Sequence, residues 1–188
     1  EGDGHGLYIS GGSDLNIVRF NETFSNHSSD FQINADPKSN CEDVGVAYDD
    51  ARCDGYAGEG EGGQGVSDYM LVEGNYFHHG DGPGANFTSV RRSIIRNNVF
   101  GPQARHNVSF WQETENPRLA SSENTIVHNI FVTTGRHGVQ LVAGATGNTF
   151  TNNILIGITA EGGTVRGNPK ALLMEVDDTT QGNTYRGN

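Results

Sequence analysis

The sequence predicts an all-β solenoid built from stacked coils. Three observations carry that prediction. A short apolar motif closing on asparagine recurs along the chain, and a second short alternating strand recurs between its copies. No stretch shows the apolar periodicity of an amphipathic helix.

Taken in chain order, HGLYIS (His5–Ser10) is the first alternating strand, with Leu7 and Ile9 facing inward. IVRFNET (Ile17–Thr23) is the first asparagine motif, and SDFQIN (Ser29–Asn34) the next alternating strand. Residues 35–66 then read as an inserted loop, rich in Gly and acid. LVEGNYF (Leu71–Phe77), ANFTSV (Ala85–Val90), IIRNNVF (Ile94–Phe100) and HNVSFW (His106–Trp111) continue the alternation of the two strand types. A second insertion, Gln112 to Ala120, follows Trp111. TIVHNIF (Thr125–Phe131), HGVQLV (His137–Val142), TFTNNIL (Thr149–Leu155), the looser KALLME (Lys170–Glu175) and TYRGN (Thr184–Asn188) complete the series.

Aligned, the motifs give one asparagine column: Asn21, Asn75, Asn98, Asn129, Asn153 and Asn188. A partial second column holds Asn16, Asn124, Asn148 and Asn183. The closest copies lie about 23 residues apart, and longer steps read as one repeat plus an insertion. A buried amide costs free energy unless it is hydrogen-bonded. Stacked coils solve this, because equivalent amides lie ~4.8 Å apart and can bond up and down the column. Asparagine also tolerates the left-handed backbone of a tight corner, so the ladder residues are expected at the corners themselves.

HGLYIS, IIRNNVF and FTNNIL resemble the right-handed parallel β-helix of the pectate-lyase-like superfamily, of the secreted, polysaccharide-directed type. The resemblance spans nearly the whole chain. It implies one β-helix domain over 1–188 with about six to seven coils and no evident capping helix. Solenoid ends need covering, so flanking chain or another chain is expected over them. The superfold hosts lyases, hydrolases, tailspikes and non-enzymes, so function must be argued from the site.

Composition narrows the field. The net charge of −11 argues against nucleic acid, and no apolar run is long enough for a membrane span. Cys41 and Cys53, inside the first insertion, are expected to form a disulfide worth ~3 kcal/mol. That places the protein in an extracellular or periplasmic compartment. The loop carboxylates Asp43, Asp49, Asp50, Asp54, Glu59 and Glu61 are oxygen donors of the kind Ca²⁺ takes, but their spacing is not that of an EF-hand. A solvated acidic loop is the competing reading, and no metal site is assigned. FHHGDG (Phe77–Gly82) does not change that, since adjacent histidines are expected to diverge.

The alternating strands present an outward row expected to contain Tyr8, Gln32, Thr88, Ser109 and Gln140, flanked by Asn86, Asn107 and Trp111. Amides, hydroxyls and aromatic faces suit a polysaccharide. Both insertions leave just after this strand and are expected to wall a groove over it. Arg91-Arg92, Arg105-His106 and Arg136-His137 concentrate positive charge beside the strand, with His5, His106 and His137 in equivalent positions. For a lyase acting on a uronate polymer by β-elimination, the expected catalytic group is His106, Arg105, Arg136 and His137. Lysine is nearly absent, occurring only at Lys38 and Lys170. A glycoside hydrolase needs two carboxylates across the bond, and the outward strand offers only Asp30, with Glu113 and Glu115 on the adjacent loop. The alternative is a non-catalytic glycan-binding or structural β-helix within a larger surface protein.

Overall fold

The computed structural model describes residues 4–36, 41–42, 45, 47, 65–111, 116–133, 135–142, 144–157, 164–165, 168–169, 173–175 and 180–188. Three parallel sheets run along the molecule. The first comprises β1 (Leu7–Ser10), β4 (Phe31–Asn34), β8 (Ala85–Thr88), β12 (Val108–Trp111), β15 (Val139–Leu141) and β20 (Leu173–Glu175). The second comprises β2 (Ile17–Arg19), β6 (Leu71–Glu73), β10 (Ile94–Arg96), β13 (Thr125–Val127), β16 (Thr149–Thr151) and β21 (Thr184–Arg186). The third comprises β3 (Glu22–Phe24), β7 (Tyr76–His78), β11 (Val99–Phe100), β14 (Ile130–Thr133) and β17 (Ile154–Gly157). Smaller pairings join β5 (Ser67–Asp68) to β9 (Val90–Arg91), and β18 (Thr164–Val165) to β19 (Asn168–Pro169). The six strands of the first sheet count six coils of a parallel β-helix.

The core is one column of inward side chains per strand position. Phe77, Phe100 and Phe131 stack on successive coils at centroid distances of 5.4 and 5.1 Å. Val72, Ile95, Ile126 and Phe150 form the matching buried column of the second sheet. Thr23 stands in register with Phe77 on the neighbouring coil.

The asparagine ladder is complete. Asn21, Asn75, Asn98, Asn129 and Asn153 each donate Nδ2 to Oδ1 of the next, ending on Asn188, at 2.8 to 3.1 Å. Each Oδ1 also accepts the backbone N–H of the asparagine below it, as Asn129 does from Asn98 at 3.0 Å. The second column bonds likewise from Asn124 through Asn148 to Asn183. Where it lacks an asparagine, Ser93 and Met70 stand in, and Met70 N–H donates to Ser93 Oγ at 2.9 Å. The 54-residue interval from Asn21 to Asn75 is therefore one coil carrying an insertion.

One expectation is corrected. The left-handed corner residue is not the ladder asparagine but its predecessor: Phe20, Gly74, Asn97, His128, Asn152 and Gly187 have φ between 52° and 65°. The corner turns one position early, which aims the asparagine inward at its neighbours' backbones.

A second correction concerns register. The expected outward row set Thr88 level with Gln32 and Ser109, which puts Phe87 at the first inward position of its strand. In the structure Ala85 pairs with Phe31 and Val108, and Phe87 pairs with Ile33 and Phe110. The small Ala85 leaves room for the Phe31 ring, which meets both Phe77 and Phe87 at 5.8 Å.

Cys41 is fully buried with Val66 and Leu119, so the start of the first insertion packs against the second. Cys53 lies outside the described residues, as do the acidic loop residues considered for Ca²⁺ and Glu113 and Glu115.

Candidate functional site

The outward face of the first sheet carries a cavity of about 350 Å³. Its floor is one column on four successive strands: Gln32, Asn86, Ser109 and Gln140 stand in register. Asn86 Nδ2 donates to Gln32 Oε1 at 3.0 Å, and Ser29 Oγ donates to the same oxygen at 3.2 Å. Ser109 Oγ donates to Gln140 Oε1 at 3.3 Å.

One wall comes from the turn ahead of the sheet, where Ser28, Ser29, Pro83, Arg105, His106 and Arg136 line the cavity. The coils stack closely here. Arg136 N–H donates to Arg105 O at 3.0 Å, which sets the two arginines one coil apart. Gly82 belongs to the same wall, and a Cβ there would meet the Ser28 carbonyl at 2.5 Å. Across the floor, Thr88 and Trp111 line the other side, and Trp111 is 41% exposed.

The structure thus gathers Gln32, Asn86, Thr88, Ser109, Trp111, Gln140, Arg105, His106 and Arg136 around one cavity. Thr88 belongs to the Trp111 column rather than the floor, and Asn86 takes its place, as the register correction requires. Tyr8 heads the floor column on β1, half exposed and against His5, but is outside the cavity lining.

Three expected residues are placed elsewhere. Asn107 is buried, and its amide donates to the carbonyls of Phe100, Gly101 and Val132, so it fixes the corner between the third and first sheets. Arg91 is buried in an ion pair with Asp68 at 3.0 Å. Arg92 meets Glu123 at 3.6 Å and the Tyr69 hydroxyl at 3.2 Å, on the far side of the strand.

His106 and His137 stack at a centroid distance of 5.3 Å, and both are buried. Only His106 lines the cavity. The backbone N–H of His137 donates to His106 Nδ1 at 3.4 Å, so neutral His106 carries its proton on Nε2. Its neutral form therefore offers a donor there, not a base.

Asp30 is fully buried and not in the groove. It accepts from Asn26 Nδ2 at 2.8 Å and Gln103 Nε2 at 2.6 Å. Burial raises its pKa, opposed by those two bonds. The described lining of the groove contains no carboxylate.

Ser28, Ser29 and Pro83 are lining residues that the sequence reading passed over. The signal was available, because Ser28-Ser29 and Gly82-Pro83 occupy the repeat positions of Arg105-His106.

The family described as right handed beta helix region matches residues 1–175. The chain belongs to that family. No curated protein and no solved structure matches it. Within a right-handed β-helix, a groove along one sheet presents equivalent side chains at a repeat of ~4.8 Å. Among the described residues, no group of three His, Cys, Asp or Glu is placed to hold a metal ion, and no helix is long and apolar enough to cross a membrane.

Proposed function

We propose that this β-helix binds an extended acidic polysaccharide along the groove of its first sheet. The observation that carries the reading is the pairing of Arg105 and Arg136 on adjacent coils, beside a floor of amides and hydroxyls and opposite Trp111. Guanidinium groups hold carboxylates with directed, charge-assisted hydrogen bonds. Amides and hydroxyls suit sugar hydroxyls, and the indole offers a flat face for a ring. A uronate polymer supplies all three partners. An acidic protein would otherwise repel such a chain, so the local arginine pair gives the groove its selectivity.

The test is calorimetric titration with galacturonate oligomers and with neutral oligomers of the same length. The acidic series should bind, with affinity falling as salt rises. Equal binding of both series, or of neither, sinks the reading.

A β-eliminating lyase is the second reading, favoured by His106 standing in the groove beside both arginines. There the arginines would neutralise the uronate carboxylate, a solvent hydroxide in the open groove would take the C5 proton and become water, and His106 Nε2–H would protonate the leaving oxygen as its bond to C4 breaks. His137, stacked behind it, acts as a positioning residue. A rise in the ultraviolet absorbance of an unsaturated product, lost in His106→Ala, tests this step separately from binding. An extracellular or periplasmic setting and a Cys41–Cys53 disulfide accord with this reading. A two-mass-unit difference between native and reduced chain would establish the bond.

A further inference from the structure

The third sheet carries a pair of imidazoles that the groove does not use. In an extended strand, adjacent side chains point to opposite faces, so His78 and His79 should diverge. They do not. His78 ends β7, and His79 follows it in the left-handed region at φ 56°. That single backbone turn breaks the alternation and brings both rings to one side. Their Nδ1 atoms lie 2.7 Å apart.

Both rings are held there. His78 is stacked between Tyr76, at 4.0 Å, and Phe24, at 5.2 Å. Its Nε2 meets Glu22 Oε1 at 3.0 Å. Glu22 accepts that hydrogen, which leaves Nδ1 of the neutral ring to accept the Nδ1–H of His79, so one proton lies between the two nitrogens. Metal-binding histidines characteristically give their second N–H to a carboxylate, which fixes the tautomer and raises ligand basicity.

We infer that His78 and His79 form a two-nitrogen chelating site for a divalent copper ion, with Glu22 orienting His78. The separation of the two nitrogens lies nearer to one metal's bite than to another's. Two nitrogens bound at ~2.0 Å with a right-angle bite stand about 2.8 Å apart, whereas tetrahedral zinc needs about 3.3 Å. The observed 2.7 Å is the N–H···N bond of the free chain; a Cu²⁺ ion replaces the shared proton, which moves to His79 Nε2, and the nitrogens part by only about 0.1 Å, against about 0.6 Å for zinc. Copper also stands highest in the divalent affinity order. Water completes the coordination, since two nitrogens occupy two positions only.

The test titrates the full chain with Cu²⁺ alone, followed by electron paramagnetic resonance and calorimetry. One equivalent should bind, with a tetragonal signal showing coupling to two nitrogens. Zn²⁺ should bind at least tenfold more weakly. His79→Ala removes a donor and leaves the stacked His78 in place. It should weaken Cu²⁺ at least tenfold and keep the thermal midpoint, while His27→Ala should change nothing. Glu22→Gln should weaken Cu²⁺ by a smaller factor. An unchanged Cu²⁺ affinity in His79→Ala, preference for Zn²⁺, or no bound equivalent in the native chain would each overturn the site.

Discussion

Two polar columns of this molecule, one inside and one on the outer face of the first sheet, behave in opposite ways. The inner column, Asn21 to Asn188, is closed on itself. Each central side chain donates to the coil above and to a backbone carbonyl, and accepts from the coil below. The outer row on the first sheet is broken into two short pairs, Asn86 with Gln32 and Ser109 with Gln140. No bond joins Asn86 to Ser109 among the described residues. The same repeat geometry therefore yields rigidity where amides are saturated and binding capacity where they are not. Of these two, only the outer row has donors and acceptors left to exchange with a ligand.

The sharpest way to break this comparison is Asn129→Ala. It strands the backbone N–H of Asn98 and the Ile95 carbonyl inside the core. Each unsatisfied buried group costs ~1–3 kcal/mol, so urea unfolding should show a loss of about 2–6 kcal/mol. Gln140→Ala, its counterpart in the outer row, should stay within about 0.5 kcal/mol of the native chain. Equal losses would show that the two columns do the same job.

Next come the arginines. Arg105→Ala or Arg136→Ala should weaken acidic oligomers roughly ten- to a hundredfold, as loss of a hydrogen bond to a charged partner implies, with the unfolding midpoint unchanged. Trp111→Ala removes one stacking face, worth about 0.5–1.5 kcal/mol, so calorimetry should show a roughly two- to tenfold loss for acidic and neutral sugars alike.

The smallest effect is the pH dependence of Asp30. Burial raises its pKa in the folded chain. The native state then holds this proton more tightly than the unfolded state, so its contribution is fully present below the ordinary carboxylate pKa. That contribution is lost as pH rises through the elevated folded value. Thermal unfolding of the native chain should therefore lose ground to Asp30→Asn across that window. A difference that is flat, or of opposite slope, would contradict the burial argument.

Most of the fold was legible because a solenoid writes its vertical neighbours into the alignment. The asparagine column and the alternation of two strand types were both readable as repeats. What escaped was set by volume and by backbone turn, neither of which the repeat encodes. Ala85 fills a slot that holds Phe31 and Val108 on adjoining coils, so matching by bulk shifted that strand by two residues. Asn107 alternates like a surface residue but turns into the corner to serve three carbonyls. His78 and His79 converge because of one left-handed residue that nothing in FHHGDG announces. The site residues read best were those on the sheet itself, where alternation alone decides direction.

The ladder closes at 2.9 Å across a 23-residue interval and at 3.0 Å across one of 54 residues. Its geometry is thus indifferent to how much polypeptide departs between rungs. Natural variation can change the length of the 35–66 segment so long as the buried Ala35, Cys41 and Val66 are kept, since the ladder closes on either side of it. Such insulation makes this architecture a chassis on which new specificities can be trialled at little risk to folding.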